Sequence, residues 1–146
     1  KYEKLDEIAE SFHRKRGRYP TFWLDNVCID QSNISDGLRV LPVNVMACSK
    51  VLVLCGKTYA RRLWCVLELF VLFSFSAPEE AAQRAVLLPL HPDMEVLTQL
   101  EAFDARRAHC YDPNEEQRLR LVIEAVGVDE FNGRIHSWAS TLKEFV

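Results

Sequence analysis

The chain reads as an α/β domain, a parallel sheet with helices on both faces, and two observations point there. Segments with apolar residues every three or four positions alternate along the whole chain with short runs rich in strand-forming residues. One of those runs, Lys50-Val51-Leu52-Val53-Leu54-Cys55, is apolar without interruption, the pattern of a strand covered on both faces. At 146 residues there is enough chain for one domain with a single core.

Taken in order, residues 2–15 space Tyr2, Leu5, Ile8, Ala9 and Phe12 as an amphipathic helix that ends near Gly17. Thr21-Phe22-Trp23-Leu24 follows as a strand between Pro20 and Asp25. A polar loop over 26–32 leads into a helix from 33 to about 47, with Asn33 and Asp36 resembling a capping pair and Pro42 able to kink it. After the 50–55 strand and Gly56, residues 60–75 form a helix apolar on nearly every side, hence largely buried. The remaining expectations are strands at 85–90 and 107–111 and helices over 93–103, 115–126 and 129–145, with Gly127 closing the second of these. In such sheets ligands sit beyond the carboxyl ends of the strands, so the loops 25–33 and 56–63 are the places to look.

Composition narrows the function. A formal charge of −3, with lysines and arginines scattered singly or in pairs, supplies no basic field for nucleic acid or an anionic membrane. The longest apolar run is broken by Glu68 and too short to cross a bilayer. Five cysteines without a C-x-x-C pair, Cys28, Cys48, Cys55, Cys65 and Cys110, read as reduced core residues of a cytoplasmic protein. His13, His91, His109 and His136 have no partner at metal-ligand spacing and default to surface or cap roles. Gly56-Lys57-Thr58 lacks the earlier glycine of a phosphate-binding loop. Asp30 is expected to accept hydrogen bonds from its own loop, whereas Asp25, at a strand end, is open to either a structural or a cleft-lining role.

The pair that stands out is Trp64 and Glu68, at i and i+4 on one helix. Two readings are balanced here. Trp64 can be core and Glu68 an ion-pair partner of Arg61 or Arg62, or the acid, set among Leu67, Leu69, Phe70 and Leu72, can face a cavity that offsets its desolvation.

The stretch "ACSKVLVLCGKTYARRLWCVLELFVL", residues 47–72, resembles the central signature of the Toll/interleukin-1 receptor (TIR) domain family, through Ser49, Lys50, Tyr59, Trp64, Cys65, Glu68 and Leu69. "FWLDNVCIDQSNISDGL", residues 22–38, fits that family's second strand and loop less closely, and its opening is also similar to fungal heterokaryon-incompatibility (HET) domains. The likeness covers motifs over residues 20–76 and element order elsewhere. It implies a flavodoxin-like fold in which the family's first strand has no counterpart before Lys1, as in a domain belonging to a larger protein. It implies an activity too, hydrolysis of NAD at the nicotinamide–ribose bond during defence or cell-death signalling. Glu68 then matches the catalytic glutamate and Trp64 an aromatic that stacks on nicotinamide. Asp25 and Tyr59 become candidates for sugar or phosphate contacts, with NAD as substrate and neither metal nor cofactor required. The rival implication is a non-catalytic module that assembles signalling complexes with copies of itself or other TIR-like domains.

Overall fold

The computed structural model describes residues 2–30, 32–91 and 95–145, with backbone alone for Asp25 and Asn26. Its elements are α1 (Tyr2–Arg16), α2 (Asp25–Cys28), α3 (Ile34–Ala47), β1 (Val51–Cys55), α4 (Leu63–Ser74), α5 (Pro78–Arg84), β2 (Ala85–Pro89), α6 (Val96–Glu101), α7 (Pro113–Val126) and α8 (Val128–Phe145). Short 3₁₀ turns lie at Tyr59–Arg61 and Ala105–Arg107. The chain is a mixed α/β structure, rich in helix around one small sheet.

That sheet has two strands among the described residues, β1 and β2, parallel and in register from Val51 opposite Ala85 to Cys55 opposite Pro89. The connection between them runs through α4 and α5, because parallel neighbours require a crossover. Arg84 ties this unit to α3. Its guanidinium donates to the Val45 and Cys48 carbonyl oxygens at 2.8 and 2.6 Å and to the Ser76 hydroxyl at 3.1 Å, so it closes the C-terminal end of α3.

The core gathers around α4. Nine of its twelve residues are buried, as its lack of a polar face requires. α8 lies against it with Phe131, Ile135, Trp138, Ala139 and Leu142 turned inward at helical spacing. Aromatic pairs join the two helices, Phe70 on Phe131 at 4.5 Å and Phe73 on Trp138 at 5.0 Å between ring centroids. Between α7 and α8 the chain turns at Gly127, whose φ of +96° favours a residue without a Cβ.

None of the residues of α1 is buried. Its local order comes from its own end. Gly17, at φ +68°, donates to the His13 carbonyl and stops the helix, and Tyr19 folds back to stack on His13 at 4.3 Å and bond Glu10 at 3.0 Å.

Three expectations need correction. Thr21–Leu24 is not a strand: the described sheet offers it no neighbour, and the Leu24 carbonyl instead accepts from Val27 and Cys28 to begin α2. Residues 107–111 are not a strand either, since the Asp104 carboxylate takes the Arg106 amide at 3.1 Å and winds a 3₁₀ turn, leaving one isolated parallel bridge between Arg62 and His109. The helix expected over 93–103 spans only Val96–Glu101, and residues 92–94 lie outside the described residues. α5 was not anticipated, although Pro78 followed by Glu79 and Glu80 is a helix-start signal. Pro42 stays inside an unbroken α3. The Asn33 amide donates to the Asp36 carboxylate at 2.7 Å rather than capping the backbone.

Candidate functional site

The carboxyl ends of β1 and β2 meet at Cys55 and Pro89, where the Leu90 amide donates to the Cys55 carbonyl at 2.9 Å. The chain leaving β1 turns at Gly56, forms the 3₁₀ turn Tyr59–Arg61 and enters α4. Tyr59 lies on that turn, and Trp64 and Glu68 follow it on α4. Glu68 sits about 7.5 Å along the helix from Leu63, at 1.5 Å of rise per residue.

Burial separates these side chains. Trp64 is 8% exposed and belongs to the core, so a ring face opens to a ligand only if its neighbours move. Its indole Nε1–H has no hydrogen-bond partner among the described residues. Glu68 is half-buried, on the same edge of α4 as half-buried Cys65 one turn earlier and exposed Arg61 and Arg62 beyond. This edge is the only interruption in the apolar surface of α4 before its last residue, Ser74.

Tyr59 is buried, and its hydroxyl donates to the Cys65 carbonyl at 3.1 Å. Burial pushes its phenol well above the ordinary value, the Cys65 thiol and the Glu68 carboxylate add to the rise, and the Arg62 guanidinium opposes it. The phenol is therefore a neutral donor at any physiological pH, and the field it feels shows that Glu68 stands near it. Cys55, buried under the same turn, is raised to about 11 by desolvation, which keeps it a thiol.

The other residues singled out in the sequence fall elsewhere. The Asp25 side chain lies outside the described residues. Asp30 does accept from its own loop: Ser32 donates through its hydroxyl at 2.6 Å and its amide at 2.9 Å, and those bonds hold the Asp30 carboxyl below its usual range. A hollow of about 210 Å³ lies between this loop and α3, lined by Cys28, Ile29, Asp30, Asn33, Asp36, Gly37 and Val40. It is a separate feature from the Glu68 edge. Cys28 is exposed there rather than part of the core, and none of the five cysteines forms a disulfide. No described residues form a cluster of three or more His, Cys, Asp or Glu side chains suited to a metal, and no described helix is long and apolar enough to cross a membrane.

Two neighbours of the site were not legible beforehand. His109 and Cys110 come from a segment more than forty residues downstream and meet the first turn of α4: the Leu63 amide donates to the His109 carbonyl at 3.0 Å, and the Trp64 amide hydrogen-bonds the Cys110 thiol. Nothing local in "AHCYD" announces that contact. Comparisons of the chain with protein-family models, with curated proteins and with solved structures found no significant match.

Proposed function

We propose that this chain is a TIR-like signalling domain, flavodoxin-like in its three-layer plan, that cleaves NAD to nicotinamide and ADP-ribose in the cytoplasm during defence or cell-death signalling. One observation supports it most: a single carboxylate, Glu68, is half-buried on a mostly buried helix, the one the chain enters after leaving the carboxyl end of β1, within electrostatic reach of Tyr59 on the intervening turn. Cleaving the nicotinamide–ribose bond generates an oxocarbenium-like centre. A carboxylate fixed in a partly dry setting offsets that charge and can also hold ribose hydroxyls, so Glu68 is the catalytic residue of this reading. Tyr59, neutral and buried, supports the Glu68 edge from beneath through its bond to the Cys65 carbonyl. Trp64 anchors the first turn of α4, and stacking on nicotinamide requires it to swing out of the core.

The burial of Trp64 and Tyr59 favours a second reading, a module that acts by association and not by catalysis. Exposed valines near the 25–33 loop, Val27 at 74%, Val43 at 69% and Val40 at 48%, offer apolar contact for another copy or another TIR-like domain. The experiment that divides the two follows nicotinamide release from NAD by wild type and Glu68→Ala, across a range of protein concentrations. Release that Glu68→Ala lowers by two orders of magnitude or more, on the scale of a key transition-state contact, is the result expected of the enzyme. Equal release by both proteins rejects Glu68, and no release with concentration-dependent association rejects the enzyme in favour of the module.

A further inference from the structure

Helix α4 carries the proposed catalytic carboxylate, yet its start has no cap of its own. The residue at the N-cap position is Arg62, which makes no side-chain capping bond. The first amides of a helix need acceptors, and here they find them in a distant segment: Leu63 N–H on the His109 carbonyl at 3.0 Å, Trp64 N–H on the Cys110 thiol. The exchange is reciprocal, since the His109 amide donates to the Arg61 carbonyl at 2.8 Å.

That capping segment is held in turn from its other side by two residues one turn apart on α7. Arg120 donates to the carbonyl oxygens of Ala105 and Ala108 at 3.1 and 2.8 Å. Glu116 accepts from the Cys110 amide at 3.1 Å, lies 3.1 Å from Nδ1 of His109, and pairs with Arg120 at 2.6 Å. Asn132 of α8 adds a third hold, its Oδ1 accepting from the Ala105 amide at 2.9 Å. Residues 105–110 are thus a splint between α7 and the first turn of α4.

We infer that Glu116 and Arg120 are positioning residues for Glu68, acting through the 105–110 splint on the first turn of α4. A hydrogen-bonded helix transmits a displacement at Leu63 and Trp64 to a side chain one turn further on. The catalytic half of this inference rests on the reading of Glu68 given above, and the mechanical half does not. In this inference Glu116 and Arg120 act on the acid through the segment they hold. Their influence is geometric, and a guanidinium whose donors reach two carbonyls and one carboxylate oxygen is well suited to it.

The test compares amide hydrogen exchange, residue by residue, in wild type, Arg120→Ala, Arg120→Lys, Glu116→Gln and the control Lys4→Ala, which breaks an exposed pair on α1. The same proteins are assayed for nicotinamide release. In Arg120→Ala the amides of Leu63, Trp64, His109 and Cys110 are expected to exchange about tenfold faster or more, while those of β1 and Phe131–Leu142 keep their protection, the pattern of a local opening. Arg120→Lys and Glu116→Gln, milder changes that guard against failure to fold, are expected to give the same pattern with smaller amplitude, and Lys4→Ala none. kcat is expected to fall in parallel with lost protection at 63–64, with KM changed less than about threefold, as for a residue that acts on the transition state alone. Protection lost uniformly, or unchanged at Leu63 and Trp64, overturns the splint. Selective loss at 63–64 with unaltered kcat overturns the catalytic half, and a wild type without turnover, or one whose turnover survives Glu68→Ala, instead points to failure of the Glu68 reading while leaving the exchange result to decide the splint.

Discussion

Gly37 lies inside α3, where alanine would ordinarily stabilise a helix by about 1 kcal/mol. Its surroundings reverse that sign. A methyl group at position 37 would come within 3.0 Å of Cγ2 of Ile29, closer than real Cβ contacts, and 3.4 Å from its Cδ1. Ile29 is buried and β-branched, so χ1 rotation gives little relief and the loop itself must shift. Overpacking of this kind costs about 1–3 kcal/mol, which leaves Gly37→Ala a net destabilisation of about 1 kcal/mol. Ile29→Ala removes the obstructing carbons but keeps its Cβ, which is 3.5 Å from the new methyl group, an ordinary contact. In that background Gly37→Ala should therefore stabilise, by about 0.5–1 kcal/mol. The double-mutant cycle then yields a coupling of about 1.5–2 kcal/mol, well above the scatter of independent sites. Urea unfolding followed by tryptophan fluorescence measures all four proteins. Additive effects, with Gly37→Ala stabilising wild type and Ile29→Ala alike, would show that the 25–33 loop does not rest on α3 through Ile29.

Other consequences are open to the same assays. Arg84→Met keeps the apolar stem but strips donors from the Val45 and Cys48 carbonyls, and should cost about 2–4 kcal/mol, the range for charged bonds at a largely covered site; a loss below about 0.5 kcal/mol contradicts the clamp. Phe131→Ala empties a fully buried position stacked on Phe70 and should cost about 3–5 kcal/mol, and a loss under about 1 kcal/mol would place the core elsewhere. The Arg120 hydrogen bond, ahead of those from the Cys110 amide and His109, lowers the Glu116 carboxyl from 4.5 to about 2. A depressed carboxyl contributes stability that is present above pH 4.5 and lost as pH falls toward 2. After allowance for solvent screening, wild type should therefore lose about 1–2 kcal/mol more than Glu116→Gln across that window. Parallel acid-unfolding curves for the two proteins would exclude the Glu116–Arg120 contact.

What could be read from the sequence was whatever depends on neighbours in the chain. α1, β1, β2, α7 and α8 follow from periodicity, an apolar run or a glycine stop, and Gly17 and Gly127 both take the positive φ that ends a helix. Thr21–Leu24 failed because a strand exists only with a partner, and strand propensity in "TFWL" carries no information on whether one is adjacent. Residues 107–111 failed because a single aspartate, Asp104, offered the backbone a competing bond. At the site, the i, i+4 relation placed Trp64 and Glu68 on one side of α4 but could not resolve that the core boundary passes between them, covering the indole and leaving the carboxylate half-open. The splint was out of reach for the same reason as the sheet: it joins residues 61–64 to 105–120 through contacts that no local spacing encodes.

The most direct measurement is a crystal structure of Glu68→Gln soaked with NAD, since the amide keeps the shape of the acid and slows turnover. The nicotinamide ribose is expected within hydrogen-bond distance of the residue-68 side chain, beside the carboxyl ends of β1 and β2. A nucleotide seated in the hollow by Asp30 and Asp36, or no nucleotide at millimolar NAD, would contradict a catalytic Glu68.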